Sequence, residues 1–173
     1  MPEIKKTIVS INPERSVSYV LEKHVSSYMS KDFLLLEQNT LISAAAKMLQ
    51  DSERDDIIVI DEKHMPIGIV TDEDIINKMS DIVTFVKTAT LKDIMSAPLV
   101  TITEKTTLQE ALHKMRDNKI RKLPVLSKKN EVIGIIFQGT ISNVIRDATA
   151  TASHLFSPPV KAILGNLGFV LQF

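Results

Sequence analysis

The feature of this 173-residue sequence that most constrains its fold is an internal repeat. Residues 25–79, copy one, align with residues 91–145, copy two. The matching segments are Met29-Ser30 with Met95-Ser96, Ile67-Gly68-Ile69 with Ile133-Gly134-Ile135, and Ile75-x-Asn77 with Ile141-x-Asn143. A unit of about 56 residues buries only about 60% of its unfolded surface. We therefore expect the two copies to pack on each other as one module.

One stretch aligns at a different separation. The run Thr40-Leu41-x-x-Ala44-x-x-Lys47-Met48 matches Thr107-Leu108-x-x-Ala111-x-x-Lys114-Met115 at 67 residues, whereas the flanking segments match at 66. This predicts a compensating single-residue insertion in a loop of each copy, with Thr40 and Thr107 capping equivalent helices. The expected apolar positions of the two helices are Leu41, Ala44, Ala45, Met48 and Leu49, and Leu108, Ala111, Leu112 and Met115.

The remaining pattern predicts the same elements in both copies. Strands are expected at 33–36, 57–60 and 66–70 in copy one and at 99–102, 123–126 and 132–137 in copy two, with second helices at 72–79 and about 141–146. The predicted fold class is α/β (α+β), with two β-α-β-β-α repeats packed as one pseudo-symmetric module.

The repeat divides the chain into five parts. These are an N-terminal lead and helix (1–24), copy one (25–80), a linker (81–90), copy two (91–146) and a C-terminal segment (147–173). The apolar end of that segment, residues 160–173, is too short and too interrupted by glycine to span a bilayer. It is expected either to pack against the module or a dimer partner, or to dock on a client protein or a membrane surface.

Composition and motifs exclude several classes of function. The formal net charge of zero gives no general attraction to nucleic acid, and the absence of cysteine excludes disulfides and thiolate nucleophiles. Glycine-rich nucleotide motifs and the nucleophile elbow are missing, and the four histidines are too scattered for a metal site. We expect no enzymatic activity. Without a signal peptide or a membrane span, a cytoplasmic location is expected.

The end of the third strand in copy one carries the clearest candidate site, in the run Gly68-Ile69-Val70-Thr71-Asp72-Glu73-Asp74. The hydroxyl of Thr71 and free amides of the first helical turn can hold a phosphate at the positive end of the helix dipole. Asp74, one turn further, can accept hydrogen bonds from both ribose hydroxyls. The alternative is structural, with Thr71 and Asp74 forming an acidic capping box. The two roles are compatible.

The doubled order of elements, this run, and Arg121-Lys122-Leu123-Pro124-Val125 in copy two resemble the tandem cystathionine-β-synthase (CBS) domain family, whose paired unit is often called a Bateman module. The resemblance covers about residues 25–146. It implies a regulatory module with two clefts that bind AMP, ATP or S-adenosylmethionine and so modulate a client protein. The alternative is a structural or scaffolding dimer without a functional ligand site.

The resemblance and the repeat assign candidate ligand-binding residues. Arg121 is the candidate for phosphate neutralisation, because a planar guanidinium can contact two oxygens, although a solvated basic turn gives the same pattern. Backbone groups of the central strands are expected to line an adenine slot, and the segments leading into the first strands to surround base and sugar. The predicted set is Gly68, Thr71, Asp74, Ile58, Val59, Ser30, Lys31, Phe33, Thr101, Thr103, Arg121, Lys122 and Leu123.

Copy two departs from this pattern, because Phe137 and Thr140 stand where copy one has Thr71 and Asp74. The hydroxyl and the carboxylate are therefore both missing from the second cleft. Phe137 is expected to fill the core or stack on a base, and Thr140 to cap a helix that starts later. The sequence predicts one competent cleft and at most one tightly bound nucleotide per chain.

The copies also differ in charge. Residues 25–80 carry a net charge of −6 and residues 91–146 a net charge of +5. Opposite charges favour a head-to-tail homodimer in which the acidic copy of one chain meets the basic copy of the other. Two solvated faces of opposite sign would give the same sequence pattern.

Overall fold

Two three-stranded sheets, one from each copy, form the centre of the fold. The structure, a computed structural model, describes residues 13–79 and 88–151. The elements are α1 Pro13–Leu21, β1 Leu35–Glu37, α2 Ile42–Ser52, β2 Asp56–Ile60, β3 Pro66–Thr71, α3 Asp72–Met79, β4 Ile102–Thr103, α4 Leu108–Asn118, β5 Lys122–Leu126, β6 Val132–Phe137 and α5 Gln138–Thr151. This order confirms the predicted α/β class with two β-α-β-β-α repeats.

Both sheets are built in the same way around a buried central strand. β2 pairs with β1 in parallel and with β3 antiparallel, and β5 pairs likewise with β4 and β6. All five residues of β2 are buried, which suits its β-branched run. In the hairpin turns that follow β2 and β5, His64 and Asn130 adopt positive φ angles of 59° and 62°.

The predicted change of separation between the copies is wrong. The buried residues of α2 are Ile42, Ala45 and Leu49, and their partners 66 residues later, Leu108, Ala111 and Met115, are buried in α4. The separation therefore stays at 66 and no compensating insertion exists. Leu41, Ala44 and Met48, predicted on the apolar face of α2, are exposed. Residue identity aligned the wrong positions because both helix faces contain apolar residues.

The helix starts differ from their prediction in the same region. Thr107 is the N-cap of α4, and its side chain and that of Glu110 form a full capping box. In copy one the N-cap is Leu41, which makes no side-chain cap hydrogen bond, so Thr40 is not the predicted cap. Thr140 is not a cap either, because α5 already begins at Gln138 and Thr140 lies within its first turn.

The copies exchange segments at their edges. Val17, Leu21 and Val25, which precede the sheet of copy one, are buried in the core of copy two. Ala89 and Leu91, which precede the sheet of copy two, are buried in the core of copy one. Each sheet is thus completed by residues that precede the other copy, which holds the two repeats together as one module.

The contacts between the copies are reciprocal. The backbone of Ser30 pairs with Ile135, and that of Ser96 pairs with Ile69 at the positions 66 residues away. His24 with Thr107 and Thr90 with Leu41 form a second reciprocal pair of bridges. Such exchange of partners defines a pseudo-twofold axis between the copies. In the described residues, no helix is long and apolar enough to cross a membrane.

Candidate functional site

A cavity of about 460 Å³ lies between the two copies. Copy one contributes the end of β3 and the start of α3, and copy two contributes the segment before β4 and the turn between α4 and β5. We call this space the interface cavity. Its lining residues are Ile69, Thr71, Glu73, Asp74, Ser96, Pro98, Leu99, Val100, Lys119, Ile120, Arg121, Lys122 and Pro124.

Thr71 and Asp74 form a reciprocal hydrogen-bonded pair at the start of α3. The Thr71 amide and hydroxyl both donate to Asp74 Oδ2 at 2.8 Å, and the Asp74 amide donates to Thr71 Oγ1 at 3.2 Å. These bonds form the acidic capping box that the spacing predicted as a structural role. Among the described residues Asp74 Oδ1 has no hydrogen-bond partner. That oxygen remains available to a ligand.

The amides at the start of α3 are already hydrogen bonded. The Asp72 amide donates to the Asp55 carbonyl at 3.1 Å, and the Glu73 amide donates to Asp72 Oδ1 at 2.8 Å. The amides of Thr71 and Asp74 are taken by the capping box. The expectation that free amides of this turn hold a phosphate is therefore wrong in this structure. Three acidic side chains in the same turn add to the barrier against an anion.

Three cationic residues of copy two reach the cavity, and they differ in their partners. Lys122 Nζ donates to Asp56 Oδ2 at 2.7 Å and to Asp55 Oδ1 at 3.4 Å. Lys119 and Arg121 are exposed, and among the described residues their side chains have no ion-pair or hydrogen-bond partner. A ligand in the cavity therefore meets two uncompensated cations, whereas Lys122 is already neutralised.

The Lys122–Asp56 pair is partly withdrawn from water. The Asp56 side chain is 4% exposed and the Lys122 side chain is 18% exposed. The two residues occupy equivalent positions, 66 apart, so their contact lies at the pseudo-twofold axis. An ion pair there joins the copies, because each copy supplies one charge.

The structure brings together four of the predicted site residues, Thr71, Asp74, Arg121 and Lys122, as lining of the interface cavity. The other predicted residues do not line it. Ile58, Val59 and Leu123 are fully buried within their strands, and the Thr101 carbonyl accepts a hydrogen bond from Lys114 Nζ at 2.7 Å. The remaining residues outside the lining are Gly68, Ser30, Lys31, Phe33 and Thr103.

Sequence reasoning missed several lining residues, including Ser96, Pro98, Leu99 and Lys119. The repeat held a signal for them. Ser96 corresponds to Ser30, which was predicted for the site, but the reciprocal exchange of segments places each serine beside the third strand of the other copy. The cavity that contains Thr71 therefore takes its second side from copy two.

The positions equivalent to this lining in the other half of the molecule form what we call the second cleft, with Phe137, Thr140, Asp32, Arg54 and Asp55. Arg54 forms a salt bridge with Asp32 and also donates to its carbonyl at 2.8 Å. The hydrogen bond from Arg54 lowers the pKa of the Asp32 carboxyl. The Phe137 ring centroid lies 5.8 Å from Lys122 Nζ. These positions already contact one another.

No group of three or more metal-ligating side chains was found in the described ranges, 13–79 and 88–151. The arrangement at the interface cavity is one of hydrogen-bonding groups, two cations and an apolar floor. It suits reversible binding of a small polar molecule.

Comparisons with known proteins agree with this architecture. The family model named CBS domain matches residues 25–81 and 91–147. The homoserine O-acetyltransferase of Methanosphaera stadtmanae is 28% identical over 127 residues, which make up 73% of this chain and 25% of the enzyme. The matches to the first curated relatives span only 45% and 25% of their lengths.

Solved structures extend the comparison. The CBS domain pair of protein MJ0100, solved in complex with 5′-methylthioadenosine and S-adenosyl-L-methionine, is 25% identical with a TM-score of 0.63, and the match covers 72% of this chain and 97% of that one. CBSX2 of Arabidopsis thaliana, solved in complex with AMP, is 21% identical with a TM-score of 0.60, covering 72% and 96%. The second likeness concerns the fold alone.

Proposed function

Because the chain belongs to the CBS domain family, we propose that it is a regulatory module that binds an adenosine compound in the interface cavity. The observation that carries this proposal is the convergence of Thr71, Asp74 and Arg121, from two different copies, on one cavity of about 460 Å³. That volume lies within the roughly 300–1,000 Å³ range of small-molecule sites. The CBS pair of MJ0100, which was solved with two adenosine compounds, supports the ligand class.

The residues divide the ligand between them. Asp74 Oδ1 accepts hydrogen bonds from ribose hydroxyls, while Oδ2 stays in the capping box. Ile69, Leu99 and Val100 offer apolar surface to the adenine ring. Since Thr71 donates both its hydroxyl and its amide to Asp74, it acts by orienting that carboxylate. The remaining predicted residues, such as Ser30 and Phe33, are proposed to act only in the second cleft.

Regulation follows from the position of the cavity between the copies. A ligand that contacts both copies stabilises one angle between them, and a client that senses this angle responds. A matched region confined to about a quarter of homoserine O-acetyltransferase supports a module that accompanies catalytic parts and is not itself catalytic. We extend the proposal to a cytoplasmic homodimer, supported by the opposite charges of the copies; light scattering at micromolar concentration tests it, and a monomer mass contradicts it.

Calorimetric titration with adenosine, AMP, ATP and S-adenosylmethionine tests ligand binding, using the wild type and Asp74→Ala. Loss of a charge-assisted hydrogen bond weakens binding by about 1.5–3 kcal/mol, or roughly 10- to 150-fold. Asp93→Ala is a matched control, because Asp93 forms the same capping box with Thr90, with bonds of 2.7 and 2.9 Å, but does not line the cavity. This variant should lose a cap and keep its affinity.

Two results contradict the proposal. If none of the four compounds binds the wild type, the chain is better described as a structural or scaffolding module. If Asp74→Ala and Asp93→Ala bind as the wild type does, an adenosine compound binds elsewhere.

A further inference from the structure

The two sides of the interface cavity differ in how they receive a negative charge. The copy-one side carries Asp72, Glu73 and Asp74 in the first turn of α3. Every amide from Thr71 to Asp74 already has a partner within the protein. A phosphate placed on that side would meet carboxylates and find no free donor among these amides. The usual anion site at a helix start is closed here.

The copy-two side has the opposite character. Lys119 and Arg121 line the cavity with side chains that are without partners among the described residues. Lys119 is the C-cap of α4 and Arg121 immediately precedes β5. Lys122 is not available, because Asp55 and Asp56 hold its ammonium group. An anionic group is therefore drawn to Lys119 and Arg121.

The equivalent positions in copy one have the reverse sign. Glu53 corresponds to Lys119, and Asp55 corresponds to Arg121. Glu53 and Lys119 share the same left-handed backbone, with φ of 53° and 56°. The fold thus accepts either charge at these positions without a change of backbone, so the cations are not needed to form the turn.

On the basis of the proposed function, we propose that Lys119 and Arg121 make the interface cavity selective for adenosine compounds that carry a 5′-phosphate. The guanidinium of Arg121 binds two phosphate oxygens, and the ammonium of Lys119 adds a second charge. The sulfonium of S-adenosylmethionine and the uncharged thioether of 5′-methylthioadenosine gain nothing from these residues. Asp74 holds the ribose at the other side of the cavity.

The test is a calorimetric comparison of AMP, adenosine, 5′-methylthioadenosine and S-adenosylmethionine on the wild type and on a charge-reversed variant. The variant combines Lys119→Glu with Arg121→Asp, which installs the copy-one residues in copy two. The control combines Lys128→Glu with Lys129→Glu, which changes the net charge equally on an exposed turn outside the cavity. Melting temperatures of all three proteins report on folding.

The wild type and the control should bind AMP at least roughly tenfold more tightly than adenosine, as expected for charge-assisted hydrogen bonds. The charge-reversed variant should lose this preference and keep its affinity for adenosine. Added salt should reduce the AMP preference of the wild type, because Lys119 and Arg121 are exposed.

Equal affinity of the wild type for AMP and adenosine overturns the selectivity but leaves the proposed adenosine site intact. Tighter binding of S-adenosylmethionine than of AMP overturns it as well. An unchanged AMP preference in the charge-reversed variant would place the phosphate elsewhere. If no adenosine compound binds at all, the proposed function itself has failed.

Discussion

The interface cavity and the second cleft share one backbone plan and differ in almost every polar group. Thr71 and Asp74 in the first are replaced by Phe137 and Thr140 in the second. Where the first has an unpaired Arg121, the second has Asp55, which contacts Lys122. A repeated fold therefore preserves the site's framework while its chemistry diverges, and occupancy of one cleft does not imply occupancy of the other.

The ion pair between Lys122 and Asp56 links the two regions. It joins equivalent positions of the copies, and its ammonium group also lies over the Phe137 ring. A buried ion pair contributes little net stability compared with apolar packing, but removal of one partner leaves a buried charge without compensation. The predictions below use this and other differences between the copies, in order of expected effect.

Lys122→Met should produce the largest loss of stability, about 3 kcal/mol, because it leaves the nearly buried carboxylate of Asp56 without its ammonium partner. Urea denaturation of the two proteins measures the change. Asp117→Ala removes one partner of the exposed pair with Arg116 and should cost less than about 1 kcal/mol. Equal losses in the two variants would show that the axial pair has no special role.

Gly134→Ala should cost about 2 kcal/mol and Gly68→Ala about 1 kcal/mol, within the range known for overpacking. A Cβ at Gly134 would lie 2.7 Å from the backbone oxygen of Ser30. At Gly68 the nearest atom is the flexible Met95 sulfur at 2.6 Å, and the backbone oxygen of Ser96 lies at 3.1 Å. Chemical denaturation of each variant measures the difference.

Gly139→Ala is the control for both glycines, because nothing lies within 4 Å of its added Cβ. Located in α5, it should raise stability by about 0.5–1 kcal/mol through helix propensity. A larger loss at Gly68 than at Gly134 would contradict the expected order.

Installing the capping box of copy two in copy one should stabilise the protein by about 1 kcal/mol. Leu41→Thr with Ala44→Glu places the hydroxyl and carboxylate of Thr107 and Glu110 at the equivalent positions of α2. Differential scanning calorimetry should show a higher melting temperature. No gain would mean that exposed Leu41 contributes packing of similar value; Thr107→Ala, which should cost about 1 kcal/mol, measures the native cap.

The smallest expected effect is a pH dependence that only copy two's cap produces. Hydrogen bonds from the amide and the hydroxyl of Thr107 lower the pKa of Glu110. Because the folded pKa lies below the unfolded one, this contribution is present above the unfolded pKa of about 4.3 and is lost as pH falls through the folded pKa. Glu110→Gln should therefore lose less stability than the wild type between about pH 5 and pH 3, as measured by urea midpoints. Parallel profiles would contradict this assignment.

Much of the fold could be predicted from the sequence because its strands are short apolar runs bounded by turns. The second and third strands of both copies match their predicted ranges to within one residue at each end. The register of α2 was wrong because Leu41 and Met48 are apolar but exposed, and only burial distinguishes the two faces. The helix after β6 was started too late, because Gln138 and Gly139 give weak helix signals.

The site was predicted less completely than the fold. Thr71, Asp74 and Arg121 were identified by residue type, but the state of the α3 amides depends on hydrogen bonds such as that from Asp72 to the Asp55 carbonyl. Likewise, the pairing of Lys122 with Asp56 is a contact between copies that the sequence pattern does not reveal. These tertiary contacts decide which cations can receive a ligand.

The central claim is that one of two similar clefts is competent, and a calorimetric titration of the full-length protein with AMP tests it most directly. We predict saturation at one AMP per chain, with Asp74→Ala abolishing or strongly weakening this single binding event. Saturation at two equivalent AMP molecules per chain would contradict the account, because it would show that the second cleft, with Phe137 and Thr140, binds the nucleotide as well as the interface cavity does.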